Sequence, residues 1–75
     1  MSVKVKFKNP QEVLDFVNKV SKYSYSMDMK RGRFLIDAKS ILGIMNMGFD
    51  NIIELKVHGE DCEELKAEIE EYIAA

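Results

Sequence analysis

Few side chains in this 75-residue chain could carry chemistry, and they stand apart from one another. His58 is the sole histidine and Cys62 the sole cysteine. A phosphorylated imidazole is stabilised at a helix N-terminus, where free N–H groups and the helix dipole face the added dianion. His58 has no such setting: it closes an alternating stretch just before Gly59 and is followed by Glu60 and Asp61, so it reads as an exposed strand-end side chain. One histidine with no second His or Cys nearby gives no metal-ligating set, and no cofactor is expected. Cys62 has no partner for an internal disulfide. Asp61, Glu63, Glu64, Glu68, Glu70 and Glu71 gather near the end of the chain, but on a terminal helix they read as its solvated face, with Lys66 available for local pairing. No Ser–His–Asp set, glycine-rich phosphate loop or paired-acid site is present, so no catalytic residue is assigned.

Ser40 is the residue with the most to offer. It follows Lys39 and opens Ile41-Leu42-Gly43-Ile44-Met45, where its hydroxyl suits a helix N-cap worth about 1 kcal/mol. A phosphate on that oxygen would gain from the helix dipole and from the first-turn N–H groups. A helix this short cannot bury all of its apolar side chains, so Ile41, Leu42 and Met45 are expected to form an exposed patch, with Ile44 and Met47 turned inward.

These residues are positioned by elements with clear periodicity. Val3, Val5 and Phe7 alternate with Lys4 and Lys6, which predicts a half-buried strand over 2–7. Asn9-Pro10-Gln11-Glu12 stops it and starts a helix: Asn at the N-cap, Pro at the first helical position, and Glu three residues after the cap to complete a capping box. Val13, Leu14, Phe16, Val17 and Val20 continue the apolar face to about Lys22. Tyr25, Met27 and Met29 predict a second strand, and Lys30-Arg31-Gly32-Arg33 a tight turn with Gly32 free to take positive φ. Phe34, Ile36 and Ala38 should then face inward on a third strand. Ile53, Leu55 and Val57 predict a fourth, and Asp61 with Glu64 a second capping box for a last helix lined by Cys62, Leu65, Ile69, Tyr72 and Ile73. The five methionines include Met27 and Met29, which read as core filling rather than as ligands.

The order β-α-β-β-α-β-α, with polar positions alternating on every strand, predicts an α+β fold: a four-stranded antiparallel sheet wet on one face and covered by three helices on the other. At this length a single domain over 1–75 is expected. A net charge of -2 with 32% charged residues argues against nucleic acid as the main partner. Lys4, Lys6 and Lys8 read instead as the solvent face of a strand. No apolar run approaches the ~20 residues needed to span a bilayer, the basic N-terminus lacks the apolar core of a signal peptide, and a lone thiol suits a reducing compartment. A soluble, cytoplasmic protein is expected, with no membrane partner.

The segment Ala38-Lys39-Ser40-Ile41-Leu42-Gly43-Ile44-Met45-Asn46-Met47-Gly48 closely resembles the regulatory-serine segment of the HPr family, the small phosphocarriers of the bacterial sugar phosphotransferase system. The likeness runs over nearly the whole length and includes Val20-Ser21-Lys22-Tyr23. It implies the HPr-like open-faced sandwich. It also implies that Ser40 stands where many family members are phosphorylated by an ATP-dependent kinase, and that Lys39, Ile41, Leu42 and Met45 stand where the family docks its partners. Those partners are phosphotransferase-system enzymes, an HPr-type serine kinase and a catabolite-control transcription factor. The family's His-x-Arg-Pro falls on Asn9, Pro10, Gln11 and Glu12, so Asn9 replaces the histidine and Gln11 the arginine. The expectation is a non-catalytic regulatory and docking module linked to carbon catabolite regulation. The alternatives are a working phosphocarrier and an interaction protein that kept only the fold.

Overall fold

A computed structural model describes residues 1–74. In chain order the elements are β1 (Ser2–Val5), α1 (Pro10–Val20), β2 (Ser26–Arg31), β3 (Phe34–Asp37), α2 (Ile41–Asn46), β4 (Ile53–His58), α3 (Glu63–Glu68) and a 3-10 turn (Glu70–Tyr72). The strands form one antiparallel sheet in the order β1-β4-β2-β3. This is the expected architecture.

Side-chain alternation fixes the register, because a one-residue slip would move every strand's apolar set to the wet face. On the covered face Val3 lies opposite Leu55, Val5 opposite Ile53, Met27 opposite Val57, and Met29 opposite both Leu55 and Ile36. On the open face Lys4 and Lys30 flank Glu54, and Ser2 and Asp28 flank Lys56, so opposite charges sit across the strands. The helices close the covered face: Val13, Phe16, Val17 and Val20 of α1, Ile44 of α2 and Leu65 of α3 are all buried. Phe7, Phe16 and Tyr72 meet edge-on or tilted, with ring centroids 5.0 to 5.7 Å apart, and tie the end of β1, α1 and the last turn together.

Several expectations need correction. β1 ends at Val5 rather than at residue 7, because the Lys6 N–H leaves the ladder to donate to the Tyr72 carbonyl at 2.9 Å, although Phe7 still points inward. α1 stops at Val20, and Leu14 turns to solvent at the rim of its apolar stripe. Phe34 lies on β3 at the sheet edge, where no helix covers it, and is 68% exposed; only Ile36 and Ala38 of the expected inward set pack against the core. Asp61 does not cap the last helix. Its left-handed φ of +57 carries the carboxylate away from the first-turn N–H groups, and the N-cap position falls on Cys62, without a side-chain cap. That helix also breaks at Ile69, because Ile73 becomes extended and bridges to Val5 while the Ala74 N–H donates to Lys4. The acidic face pairs across to α1, Glu71 with Lys19 and Glu68 with Lys22, not with Lys66.

Candidate functional site

The fold presents two helix starts, and their chemistry differs. At α1 the Asn9 Oδ1 accepts the Glu12 N–H at 3.0 Å, and the Glu12 carboxylate reaches back to accept the Lys8 N–H at 2.8 Å. The capping box therefore forms, with its return bond one residue earlier than the pattern predicts. Gln11 donates through Nε2 to Asp15 at 3.0 Å. Asn9 thus holds one N–H of the first turn, the Glu12 carboxylate stands at the helix start, and Asn9 offers an amide whose nitrogen lone pair is delocalised.

At α2 the expected Ser40 cap is present. Ser40 Oγ accepts the Gly43 N–H at 3.2 Å, its N–H donates to the Asp37 carbonyl at 3.0 Å, and its carbonyl opens the helix by accepting from Ile44 at 3.0 Å. The first turn of α2 holds no acidic residue. A Cβ at position 43 would lie 2.9 Å from Ile36 Cδ1 and 3.0 Å from Ser40 Oγ, so glycine lets the helix start sit tight on β3.

The α2 face is narrower than the sequence predicts. Leu42 is 77% exposed, but Ile41 and Met45 are half-buried and pack against the core, as Ile44 and Met47 do more completely. Lys39 is half-buried as well, and its Nζ donates to the Tyr23 carbonyl at 2.8 Å, so the ammonium is held toward the α1–β2 connection. Leu42 is the one exposed residue of the predicted set, and Ser40 is half-buried like Lys39, Ile41 and Met45.

Two further residues hold this element and were missed. Asp37 accepts the Lys39 N–H through Oδ1 at 2.8 Å, a local turn bond that aspartate two residues upstream could have suggested. Arg31 donates to the Met47 carbonyl at 2.9 Å, placing a cation at the C-terminal end of α2. Nothing in the sequence marks that contact, which joins β2 to a helix end 16 residues away. His58 sits where expected, exposed at the end of β4, with Nε2 2.9 Å from the Asp28 carboxylate.

The perturbed titrations lie elsewhere, at the α1–α3 seam. Its hydrogen bond to Glu68, reinforced by burial, pushes the Tyr23 phenol up to about 12, and burial first, then Glu71, does the same for Tyr72. Hydrogen bonds from Lys22 and Tyr23 hold Glu68 below the usual carboxylate range. Among the described residues no helix is long and apolar enough to cross a membrane.

These features coincide with a known family. The family described as PTS HPr component phosphorylation site matches residues 3–75. Among curated proteins no relative matches. Among solved structures, HPr-C-His from Thermoanaerobacter tengcongensis is 30% identical with a TM-score of 0.73, covering 93% of this chain and 88% of that one. The phosphocarrier protein HPr of Bacillus anthracis is 21% identical with a TM-score of 0.75, covering 96% and 95%. The histidine-containing phosphocarrier protein of Mycoplasma is 15% identical with a TM-score of 0.74, covering 95% and 89%. The sheet order, the helix placement and the match over residues 3–75 agree, and the chain belongs to the HPr family of the phosphotransferase system.

Proposed function

We propose that this protein is a non-catalytic regulatory and docking module of the cytoplasm that acts through the Ser40 helix and does not carry phosphohistidine. The observation that carries the reading is the state of the α1 start. There, Asn9 Oδ1 holds the Glu12 N–H, and the Glu12 carboxylate, anchored on the Lys8 N–H, sets a negative charge at the helix start. Asn9 has no nucleophilic nitrogen, Gln11 is neutral, and Glu12 adds a like charge in the first turn. Ser40 has the opposite setting. Its Oγ is partly accessible, it already faces a backbone N–H, and no carboxylate competes in the first turn of α2. A phosphate there would meet the positive end of the dipole, and Leu42 beside it supplies an apolar contact. A reader of the modified state would combine basic groups for the phosphate with an apolar seat for Leu42, as the family's serine kinase and catabolite-control transcription factor imply.

The working-carrier reading would have to route phosphate through His58, which lies at a strand end beside Asp28. Two labelling reactions decide between the readings. Phosphoenolpyruvate with the upstream phosphotransferase enzyme should leave the chain unlabelled while labelling an authentic HPr in the same tube; acid-labile label at a comparable rate would overturn the proposal. ATP with an HPr-type serine kinase should label the chain, and Ser40→Ala should abolish the label. A kinase that ignores Ser40 while modifying authentic HPr would leave only an interaction protein that kept the fold.

A further inference from the structure

We propose that β3 is a self-complementary edge through which two copies of this chain pair to form one continuous sheet. The sheet order leaves β3 at an edge where, among the described residues, only the Ser40 N–H on the Asp37 carbonyl takes up an outer backbone group, whereas the other edge, β1, is partly covered by the Val5–Ile73 bridge and the bonds to Tyr72 and Ala74. The two-residue loop Gly32–Arg33, with Gly32 at φ +59, makes Arg31 and Phe34 a hydrogen-bonded pair. Ile36 and Ala38 then also bond inward, the latter by donating to Met27 at 3.0 Å. The N–H and C=O of Leu35 therefore point away from β2, along the open edge.

Sheet edges are ordinarily protected by shortness, charged side chains, proline or a bulge. β3 is short, but Phe34-Leu35-Ile36 holds no charge or proline, and Phe34 and Leu35 are 68% and 62% exposed on its two faces. The sequence Arg33-Phe34-Leu35-Ile36-Asp37 is complementary to itself when run antiparallel about Leu35. That register sets Leu35 against Leu35 of the second copy, Phe34 against Ile36, and Arg33 against Asp37. On the helix-covered side each Phe34, which in its own chain lines a depression of about 220 Å³ with Arg31, Ile36, Gly43, Asn46 and Met47, comes beside Ile36 of the second copy. On the open side the rungs read charge, apolar, charge, with opposite signs facing.

The charge match also answers an imbalance in the single chain. Asp37 lies directly opposite Asp28 in the β2–β3 register, an arrangement that repels. Asp28 has Lys56 opposite it on β4 and His58 Nε2 at 2.9 Å, while among the described residues Asp37 receives only the Lys39 backbone N–H. Among the described residues Arg33 has no ion-pair partner. Pairing two copies gives each Asp37 a guanidinium and each Arg33 a carboxylate. The inference is independent of the role of Ser40.

The contact is short, below the ~1,000 Å² of a stable interface, so the dimer is weak, with a Kd on the order of 0.1–1 mM. The test is sedimentation equilibrium and amide NMR of the full chain from about 20 µM to about 2 mM. The average mass should climb with concentration, and the amides of Arg33 to Asp37 should shift together. Leu35→Lys, which sets like charges across the two-fold axis, and Arg33→Glu, which faces Asp37, should each weaken association at least about tenfold, with circular dichroism unchanged. Added salt should weaken it as well. A chain that stays monomeric at the top of the range overturns the proposal, and shifts at the same amides on adding a partner protein would then give the edge to that partner. Concentration-dependent shifts confined to Leu42 or to β1 overturn it too, as does association that survives Arg33→Glu.

Discussion

A four-member series at position 40 tests whether this helix start can receive a negative charge. In Ser40→Ala the Gly43 N–H loses its side-chain acceptor, a contact of 3.2 Å at the long end of the hydrogen-bond range. N-cap deletions cost about 0.5–2 kcal/mol, and a long, partly accessible bond belongs in the lower half, so about 0.5–1 kcal/mol is expected. Ser40→Asn retains an acceptor without charge and should be close to neutral. Ser40→Asp retains the acceptor and adds a carboxylate to a first turn that has none, a gain of about 0.3–1 kcal/mol from the dipole. The Asp and Ala variants should therefore differ by about 1–2 kcal/mol, a gap of roughly 4–16 °C in melting temperature for a domain of this size. Urea melts at low salt measure the order Asp, Asn or Ser, then Ala, and the Asp advantage over Asn should fade in high salt. Phosphorylated Ser40 should melt with the Asp variant or above it. If Ser40→Asp is no more stable than Ser40→Ala, the α2 start does not accept an anion and the physical basis for a phosphoserine there is wrong.

Asn9→Ala should cost about 1 kcal/mol by removing the Glu12 cap, whereas Asn9→Asp should cost little; equal losses would mean that the cap contributes nothing. Restoring Asn9→His alone should recover little phosphoenolpyruvate-dependent labelling, and adding Gln11→Arg with Glu12→Pro should recover more. Leu42→Glu should leave the unfolding free energy within about 0.5 kcal/mol of wild type while weakening partner capture, but Ile44→Ala should cost about 2–5 kcal/mol, since one side chain is exposed and the other is core. Stability should fall on the alkaline side. Tyr23 and Tyr72 are held protonated up to about 12 in the folded chain, so their contribution is complete below pH 10 and is lost between about 10 and about 12. Tyr23→Phe should flatten that slope. On the acid side Glu68, depressed by Lys22 and Tyr23, loses its contribution as pH falls through its lowered folded value.

The sequence makes this fold legible where one side chain both patterns an element and finds its partner nearby. Asn9 and Ser40 each cap a helix within three residues, Gly32 turns a hairpin, and the alternation of Ile53, Leu55 and Val57 fixes a central strand. What could not be read depends on neighbours distant in the chain. Phe34 carries the inward parity of β3, but burial there depends on a helix covering the sheet edge, and none does. Asp61 and Glu64 have the spacing of a capping box, yet the Tyr25 hydroxyl donating to the Asp61 carbonyl at 3.3 Å accompanies a left-handed backbone that turns the carboxylate away. The glutamates of the last helix have Lys66 within reach, but Lys19 and Lys22 lie across from them once α1 and α3 pack. Ile41 and Met45 lose the exposure that local pattern assigns them, because a helix of six residues lies close enough to the sheet to bury more than one side.

The two helix starts differ in how they would receive an added anion. Each begins with free N–H groups and a positive dipole end, so both favour an anion before side chains are counted. At α1 Glu12 already supplies a charge, Asn9 an acceptor, and Asp15 holds Gln11. A dianion added there would displace internal bonds and face a fixed carboxylate, so both the desolvation and the Coulomb contributions oppose it. At α2 a single neutral hydroxyl accepts one N–H, and the nearest acidic side chain on the approach, Asp37, is turned to the Lys39 N–H and follows the strand rather than the helix. Negative charge added to Ser40 keeps the cap and meets no carboxylate in the first turn. The start of α1 already carries the chain's own carboxylate, whereas the first turn of α2 carries none.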